Sequence, residues 1–281
     1  MLKNNLKKTT EIDLESEDLV LLDESRCQNT TNTSRRLCEP TIDGEKDPNI
    51  LEKSGKQYGV NALGFQGVTC PSFIFFNQQN NSNNFIKALC NYQMRRIENI
   101  EVINILYEIL SDPKINITNI KLELLKEKSE EDHEKVFDED NHLLPKKLNY
   151  YCMKNKITKY KINKTQQDNL RIALYNKRLI ELLKSERRLN IILDNARIHT
   201  SNFTEEMCEL LSIDLVFLPE YSPFLNPIED LWKDIKREIY NEDFDTLDDL
   251  IDLFENYFYE KVDNFSYIEN WLIEYFARNF R

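Results

Sequence analysis

Three acidic residues occupy positions where carboxylates from distant parts of the chain could do chemistry together. Asp194 directly follows an apolar run and opens the polar stretch DNARIHTS. Asp23 follows the apolar run LVLL, and Glu229 lies in the first turn of the predicted helix NPIEDLWKDIKRE. Carboxylate oxygens are ligands suited to Mg²⁺ or Mn²⁺. Two such ions about 3.5–4 Å apart can stabilise both the attacking and the leaving oxygen of a phosphodiester displacement.

Each acid also has a simpler interpretation. Asp194 could cap the turn that follows its strand, and Glu229 could be an ordinary acid favoured by the dipole at a helix start. For the first acid, Asp18 and Glu24 are close alternatives to Asp23. The residue types alone leave these alternatives open.

The phase of the predicted helix favours Glu229 over its neighbour Asp230. At about 100° per residue, one stripe of the helix is apolar and faces a core. That stripe consists of Ile228, Leu231, Ile235 and Ile239. Glu229 lies beside it on a face shared with Lys233 and Lys236, while Asp230 lies nearer to solvent. We expect Pro227 in the first turn, Asn226 as the N-cap and Trp232 in the core.

The order of predicted elements is typical of an α/β fold. The runs DLVLLDES, YGVNALGFQG and PSFIFFNQ read as three strands in a meander, and LNIILDN and IDLVFLP as two more. Helical patterns follow the third strand and alternate with the last two. The sequence therefore predicts a mixed sheet flanked by helices, with strand-end aspartates in the crevice where such sheets bind ligands.

The chain is divided here into a short polar N-terminal tail at 1–18, a catalytic domain at 19–240 and an acidic helical extension at 241–281. The tail is too short for a helix-turn-helix. Within the domain, about 25–55 forms a long polar loop of the kind that is often functional. The charged stretch at about 113–164 is predicted to be an irregular insertion. The stretch QQDNLRIALYNKRLIELLKSE is predicted to be one helix.

Composition limits the possible partners. The net charge of −12 disfavours nucleic acid as a partner, yet the acids concentrate near the C-terminus while lysines and arginines cluster elsewhere. No apolar run is long enough to span a membrane, and the N-terminus does not resemble a signal peptide. We therefore expect a cytoplasmic protein whose six cysteines are reduced thiols. The chain has only three histidines, which argues against zinc chemistry.

The stretch DNARIHTS, followed by LPEYSPFLNPIEDLWKDIKRE, resembles the catalytic signature of DDE transposases of the mariner superfamily, in particular its bacterial and archaeal insertion-sequence branch. Between Asp194 and Glu229 lie 34 residues, the spacing of the second and third acids in that superfamily when the third is glutamate. LLDES resembles the strand that carries the first aspartate, and GVNALGFQG resembles the second strand.

The resemblance implies an RNase H-like fold in which Asp23, Asp194 and Glu229 hold two Mg²⁺ or Mn²⁺ ions. It implies cleavage of DNA strands and strand transfer by a DNA 3′-hydroxyl, with transposon ends and target DNA as partners. The polar loop occupies the place of a clamp that helps such enzymes form homodimers. Asn195 and His199 match positions near the site that orient groups or contact DNA, and Arg35 and Arg36 are candidate contacts in the polar loop. On the predicted helix, Lys233, Lys236 and Arg237 could contact DNA or simply form a solvated face.

Two departures from the superfamily pattern keep other functions open. The helix-turn-helix portion of the superfamily is not in this sequence, and the interval from Asp23 to Asp194 is longer than usual because of the insertion. The expectation is a transposase catalytic domain, and three origins stay open: the second reading frame of a split transposase with a separately encoded helix-turn-helix subunit, a truncated copy, or a catalytic domain taken alone. The alternatives are a truncated or decayed transposase that binds DNA or partners without catalysis, and an RNase H-like nuclease acting on RNA–DNA hybrids.

Overall fold

In the described part of the chain, one mixed sheet of five strands forms the centre of the fold. The computed structural model describes residues 12–28, 59–111, 113–155, 166–219, 225–240, 242, 244–264 and 266–269. The strands are β1 (Glu17–Gln28), β2 (Gly59–Gly67), β3 (Phe73–Asn77), β4 (Arg188–Leu193) and β5 (Ile213–Phe217). Their order is β3-β2-β1-β4-β5, with β2 antiparallel to both β1 and β3, and β4 parallel to both β1 and β5. The predicted meander and the mixed sheet are confirmed.

Helices cover both faces of this sheet. They are α1 (Ser82–Arg96), α2 (Ile100–Ser111), α3 (Pro113–Lys128), α4 (Glu130–Glu134), α5 (Pro145–Lys154), α6 (Gln166–Leu174), α7 (Lys177–Leu183), α8 (Asn202–Leu210), α9 (Ile228–Ile239) and α10 (Leu247–Val262). In the described part of the chain, none of these helices is long and apolar enough to cross a membrane. The cytoplasmic location stays a prediction.

Alternate side chains of β1 contribute to hydrophobic cores on the two opposite faces of the sheet. Val20 and Leu22 join the cluster beneath α1, α2, α6, α7 and α8, whereas Leu19 and Leu21 point to the opposite face. That opposite face also carries the cluster formed by α9 and α10. Because its central residues are buried on both sides, β1 reads as a continuous apolar run instead of an alternating one.

The helix α10 belongs to the packed structure on the second face. Its residues Leu250, Phe254, Phe258 and Val262 are buried at helical spacing, which confirms the predicted apolar stripe. Thr246 begins the helix through a capping box with Asp249. The acidic residues that dominate the sequence here therefore lie on the outer side of a helix whose inner side packs against α9, β2 and β3.

Three predictions about local structure were wrong. The stretch at 113–164 was predicted to be irregular. Up to residue 155 it contains α3, α4 and α5, which enclose a small core of Leu125, Val136, Leu148 and Cys152. The predicted single helix after residue 165 is two helices, since the Asn176 side chain accepts a hydrogen bond from Leu179 N and starts α7. Asn226 is not the N-cap of α9; Pro227 takes that position.

The contact of α10 with the sheet should contribute a large share of the stability of this face. Phe254 is 0% exposed and its ring lies 5.8 Å from Phe76 and 5.6 Å from Trp232. We predict that Phe254→Ala lowers the free energy of unfolding by about 3–5 kcal/mol through lost burial and a cavity. Urea denaturation measures this loss. Asn256→Ala, on the exposed side of the same helix, is the control and should change stability by less than about 0.5 kcal/mol.

Candidate active site

The parallel pairing of β1 with β4 brings the first two acids to the same level of the sheet. The paired register runs from Glu17 with Arg188 to Leu21 with Ile192. Two positions further along, the two strands carry Asp23 and Asp194. Adjacent strands lie about 4.8 Å apart, so these residues are neighbours across the sheet. Asp194 directly follows β4 as predicted, but Asp23 does not end its strand, because β1 continues to Gln28 for its pairing with β2.

Which acid near the start of the chain can act together with Asp194 depends on the face of the sheet on which its side chain lies. Asp23 pairs with Gly64, and the inner side of Gly64 faces α9. Glu24 pairs with Leu63 and points to the opposite face. Asp18 lies near the other end of β1, where it forms ion pairs with Arg96 at 2.6 Å and Arg187 at 2.9 Å. Asp23 is therefore the acid on the α9 face, and the two alternatives are placed elsewhere.

The helix α9 brings the third acid to the same crevice. Asn226, just before α9, is buried, and its side-chain Nδ2 donates to the carbonyl oxygen of Leu22 at 3.0 Å. Glu229 lies in the first turn of this helix, and its charge acts on Asp23. The structure therefore places Asp23 and Asp194 on neighbouring strands, with Glu229 near enough for its charge to raise the pKa of Asp23.

The gathered acids make the ionised form of Asp23 unfavourable. Burial raises the pKa of the Asp23 carboxyl, the charges of Glu229, Asp194 and Glu24 raise it further, and the pKa reaches about 7 although a backbone hydrogen bond opposes the shift. A cation placed among these groups would relieve both the burial penalty and the repulsion between carboxylates.

The chemistry of the three acids fits a hard divalent cation, but their side chains do not form a closed coordination sphere. The three acids offer only carboxylate oxygens, which suit Mg²⁺ or Mn²⁺. Within the described residues, no three Asp, Glu, His or Cys side chains converge closely enough to hold one ion. The arrangement is a crevice with three acids on its walls.

His199 joins two of the acidic residues through a buried bridge. Its Nδ1 lies 2.9 Å from Asp194 Oδ1 and its Nε2 lies 3.3 Å from Glu24 Oε1. Burial alone would lower the pKa of His199, but the hydrogen bonds to Asp194 and Glu24 and their charges raise it to about 9. The same hydrogen bond from His199 is the main cause that lowers the pKa of Asp194. The bridge keeps Asp194 ionised and fixes its direction.

The burial of His199 corrects the prediction that it contacts DNA. Its side chain is 2% exposed and its ring packs against Phe85 with the centroids 4.6 Å apart. It has no surface to offer a nucleic acid, so the geometry favours the other predicted role, an orienting group for Asp194. Glu24, which appeared in the sequence only as an alternative to Asp23, is the second partner of this histidine.

The turn after β4 also shows that the simpler interpretation of Asp194 is partly right. Asp194 Oδ1 accepts a hydrogen bond from Ala196 N at 3.1 Å, as a turn-capping aspartate does. Yet its side chain is 61% exposed, and no hydrogen bond from the described residues reaches Oδ2. One oxygen is thus used by the fold, and the other is left without a hydrogen bond from the described residues. The side-chain nitrogen of Asn195 donates to Leu218 O, which ties this turn to the end of β5.

The remaining residues predicted to contact DNA are only partly placed. Lys233 is exposed but pairs with Asp230 at 2.6 Å, and Arg237 pairs with Asp234 at 3.0 Å. Lys236 is half-buried on the same helix. Arg35, Arg36 and the loop that contains them lie outside the described residues, as does the YSP block at 220–224.

A family match covers the part of the chain that carries Asp194 and Glu229. Residues 148–251 match the family described as DDE superfamily endonuclease. The segment that carries Asp194 and Glu229 is similar to these endonucleases. The Tc3 transposase of Caenorhabditis elegans is 49% identical over 47 residues, which make up 17% of this chain and 14% of that protein.

Two solved structures of Mos1 transposase are similar over nearly the whole chain at low identity. A Mos1 paired-end complex with the left transposon end matches 98% of this chain with 14% identity and a TM-score of 0.48. A Mos1 mariner paired-end complex with Mn matches 99% of this chain with 12% identity and a TM-score of 0.47. The chain spans 61% and 60% of the length of those two proteins.

The bridge through His199 should contribute measurably to stability. We predict that His199→Ala lowers the free energy of unfolding by about 1–3 kcal/mol, because it removes hydrogen bonds to two charged groups at a buried position. Denaturation in urea measures the loss. The neighbouring Thr200 is exposed, so Thr200→Ala is a matched control. Equal stabilities of the two variants would contradict the assignment of a bridging role.

Proposed function

We propose that this chain is the catalytic part of a DDE transposase that cleaves DNA strands and transfers them to new sites. The observation that carries the proposal is the placement of Asp23 and Asp194 at one level of two parallel strands, with Glu229 entering the same crevice from α9. The similarity of residues 148–251 to DDE superfamily endonucleases supports it independently, because that segment includes two of the three acids.

Asp23, Asp194 and Glu229 are the residues that would hold divalent cations, Mg²⁺ or Mn²⁺, and a pair of ions is the arrangement we propose. When bound, such ions activate the attacking oxygen and stabilise the leaving oxygen of a phosphodiester displacement. The chain itself contributes the direction of each carboxylate. His199 holds Asp194 ionised and oriented, and the contact between Asn226 and Leu22 holds the start of α9 beside Asp23.

The proposed partner is DNA, namely the ends of a mobile element and its target. Mos1 has been solved in paired-end complexes, one with a transposon end and one with Mn. On this chain, the exposed Asn195 and Lys233 lie on the elements that carry the acids, and we propose them as DNA contacts together with Lys236 and Arg237. Homodimer formation, the insertion-sequence branch, a separate helix-turn-helix subunit and contacts through Arg35 and Arg36 stay predictions.

The proposal makes a direct prediction about DNA cleavage. In Mn²⁺ or Mg²⁺, the protein should nick and join DNA that carries the sequences flanking its own gene, and Asp194→Asn or Glu229→Gln should reduce the rate at least about 10³-fold, a loss comparable with that of a catalytic group acting in the transition state. Gel electrophoresis of nicked and joined plasmid products measures both steps.

A neighbouring acid provides the control for this experiment. Asp230 follows Glu229 directly but is exposed and pairs with Lys233, so Asp230→Asn should retain the activity. Retained cleavage in Asp194→Asn would overturn the assignment. Binding of DNA without any metal-dependent cleavage would favour a decayed transposase, and digestion of RNA–DNA hybrids without joined products would favour a different RNase H-like nuclease.

A further inference from the structure

Two residues flank Glu229 at equal distances along the chain, Asn226 just before α9 and Trp232 within it, and each contacts a residue next to Asp23. Three positions before Glu229, Asn226 donates its side-chain hydrogen bond to the carbonyl of Leu22, the residue that precedes Asp23. Three positions after Glu229, Trp232 packs against Gly64, the cross-strand partner of Asp23. Glu229 thus lies between two contacts, and each contact joins its helix region to a residue next to Asp23.

The contact between Trp232 and Gly64 leaves no room for a larger residue. A Cβ atom on Gly64 would lie 2.4 Å from two ring carbons of Trp232, Cζ2 and Cη2. The indole cannot move away freely, because on its other sides the rings of Phe254 and Phe258 lie 5.6 and 5.7 Å from it. Interiors packed at this density transmit a local clash to neighbouring elements. Glycine is needed here for space, so that α9 can approach the sheet.

We propose that Asn226 and Trp232 are positioning residues that fix the separation between Glu229 and Asp23, and that Gly64 is the position that permits the approach. The inference rests on the proposed function, since it assumes that these two acids share bound cations. A helix displaced from the sheet would carry Glu229 away from Asp23, and the pair would then bind a divalent cation less well.

The test uses Gly64→Ala and Asn226→Ala in the full chain. We expect each variant to bind Mn²⁺ about 10–100-fold more weakly than the wild type in titration calorimetry, the loss found when groups that orient metal ligands are removed. In the DNA nicking assay, kcat should fall, because Glu229 and Asp23 no longer hold the cation together. Thermal unfolding confirms that each variant is folded.

A rescue separates positioning from general destabilisation. Phenylalanine lacks the two indole carbons that meet the added Cβ, so Trp232→Phe in the Gly64→Ala background should recover Mn²⁺ affinity. Among the described residues nothing accepts a hydrogen bond from the Trp232 indole nitrogen, so this replacement loses none. If Gly64→Ala weakens Mn²⁺ binding and the added Trp232→Phe does not restore it, the proposed contact is overturned.

Matched controls come from the same elements. Gly59 lies in the same strand as Gly64, and an added Cβ there meets the end of the Arg26 side chain at 3.0 Å and Gln28 Cβ at an ordinary 3.5 Å, so Gly59→Ala should bind Mn²⁺ like the wild type. Asn190 is a buried asparagine that donates to Glu17 and to the Asp18 carbonyl, away from the crevice. Asn190→Ala should lose stability without losing Mn²⁺ affinity.

A measurement without metal keeps this inference separate from the proposed function. Amide hydrogen exchange in the presence of EDTA reports the seating of α9 directly, and we expect faster exchange along α9 in Gly64→Ala but not in Gly59→Ala. Unchanged exchange along α9 would overturn the positioning role whatever the enzyme does. Failure of the wild type to bind Mn²⁺ or cut DNA, with the exchange result as expected, would overturn the proposed function and leave the seating of α9 established.

Discussion

The parallel pairing of β1 with β4 is the constraint on which the candidate site depends. Side chains on a strand alternate between faces, so a slip of one residue in this register would turn every side chain of one strand to the other face. The register is held because the central residues of both strands are fully buried on both sides of the sheet. The same apolar residues that stabilise the sheet therefore place Asp23 and Asp194 side by side. Packing of the core therefore determines which two acids lie side by side.

The site itself opposes folding where its acids gather. Burial and three nearby carboxylates raise the pKa of Asp23 to about 7, which is the cost of concentrating like charges in a half-buried crevice. The fold offsets this cost locally for Asp194 by placing His199 between it and Glu24, on the side of the sheet away from α9. Functional sites typically contain such energetically unfavourable groups, because the chemistry of the site requires them.

The helical segment from α3 to α5 lies in the long connection between the first two acids. These helices enclose a small core of their own and come, along the chain, between α2 and the helices that precede β4. Their packing leaves β1 free to pair with β4. That the segment is an insertion stays a prediction.

The sequence by itself determined the five strands and most of the helices that flank them, and it pointed to three acids as candidate site residues, because apolar runs, helical stripes and the spacing from Asp194 to Glu229 are local or linear properties. Only the tertiary structure decided that Glu24 supports His199 from the opposite face, that His199 is buried, and that Gly64 and Asn226 anchor α9. Those facts depend on which strand lies beside which and on how closely a helix can approach a sheet. Such contacts join residues far apart in the chain, up to 204 positions for Asn226 and Leu22, so no pattern along the sequence encodes them.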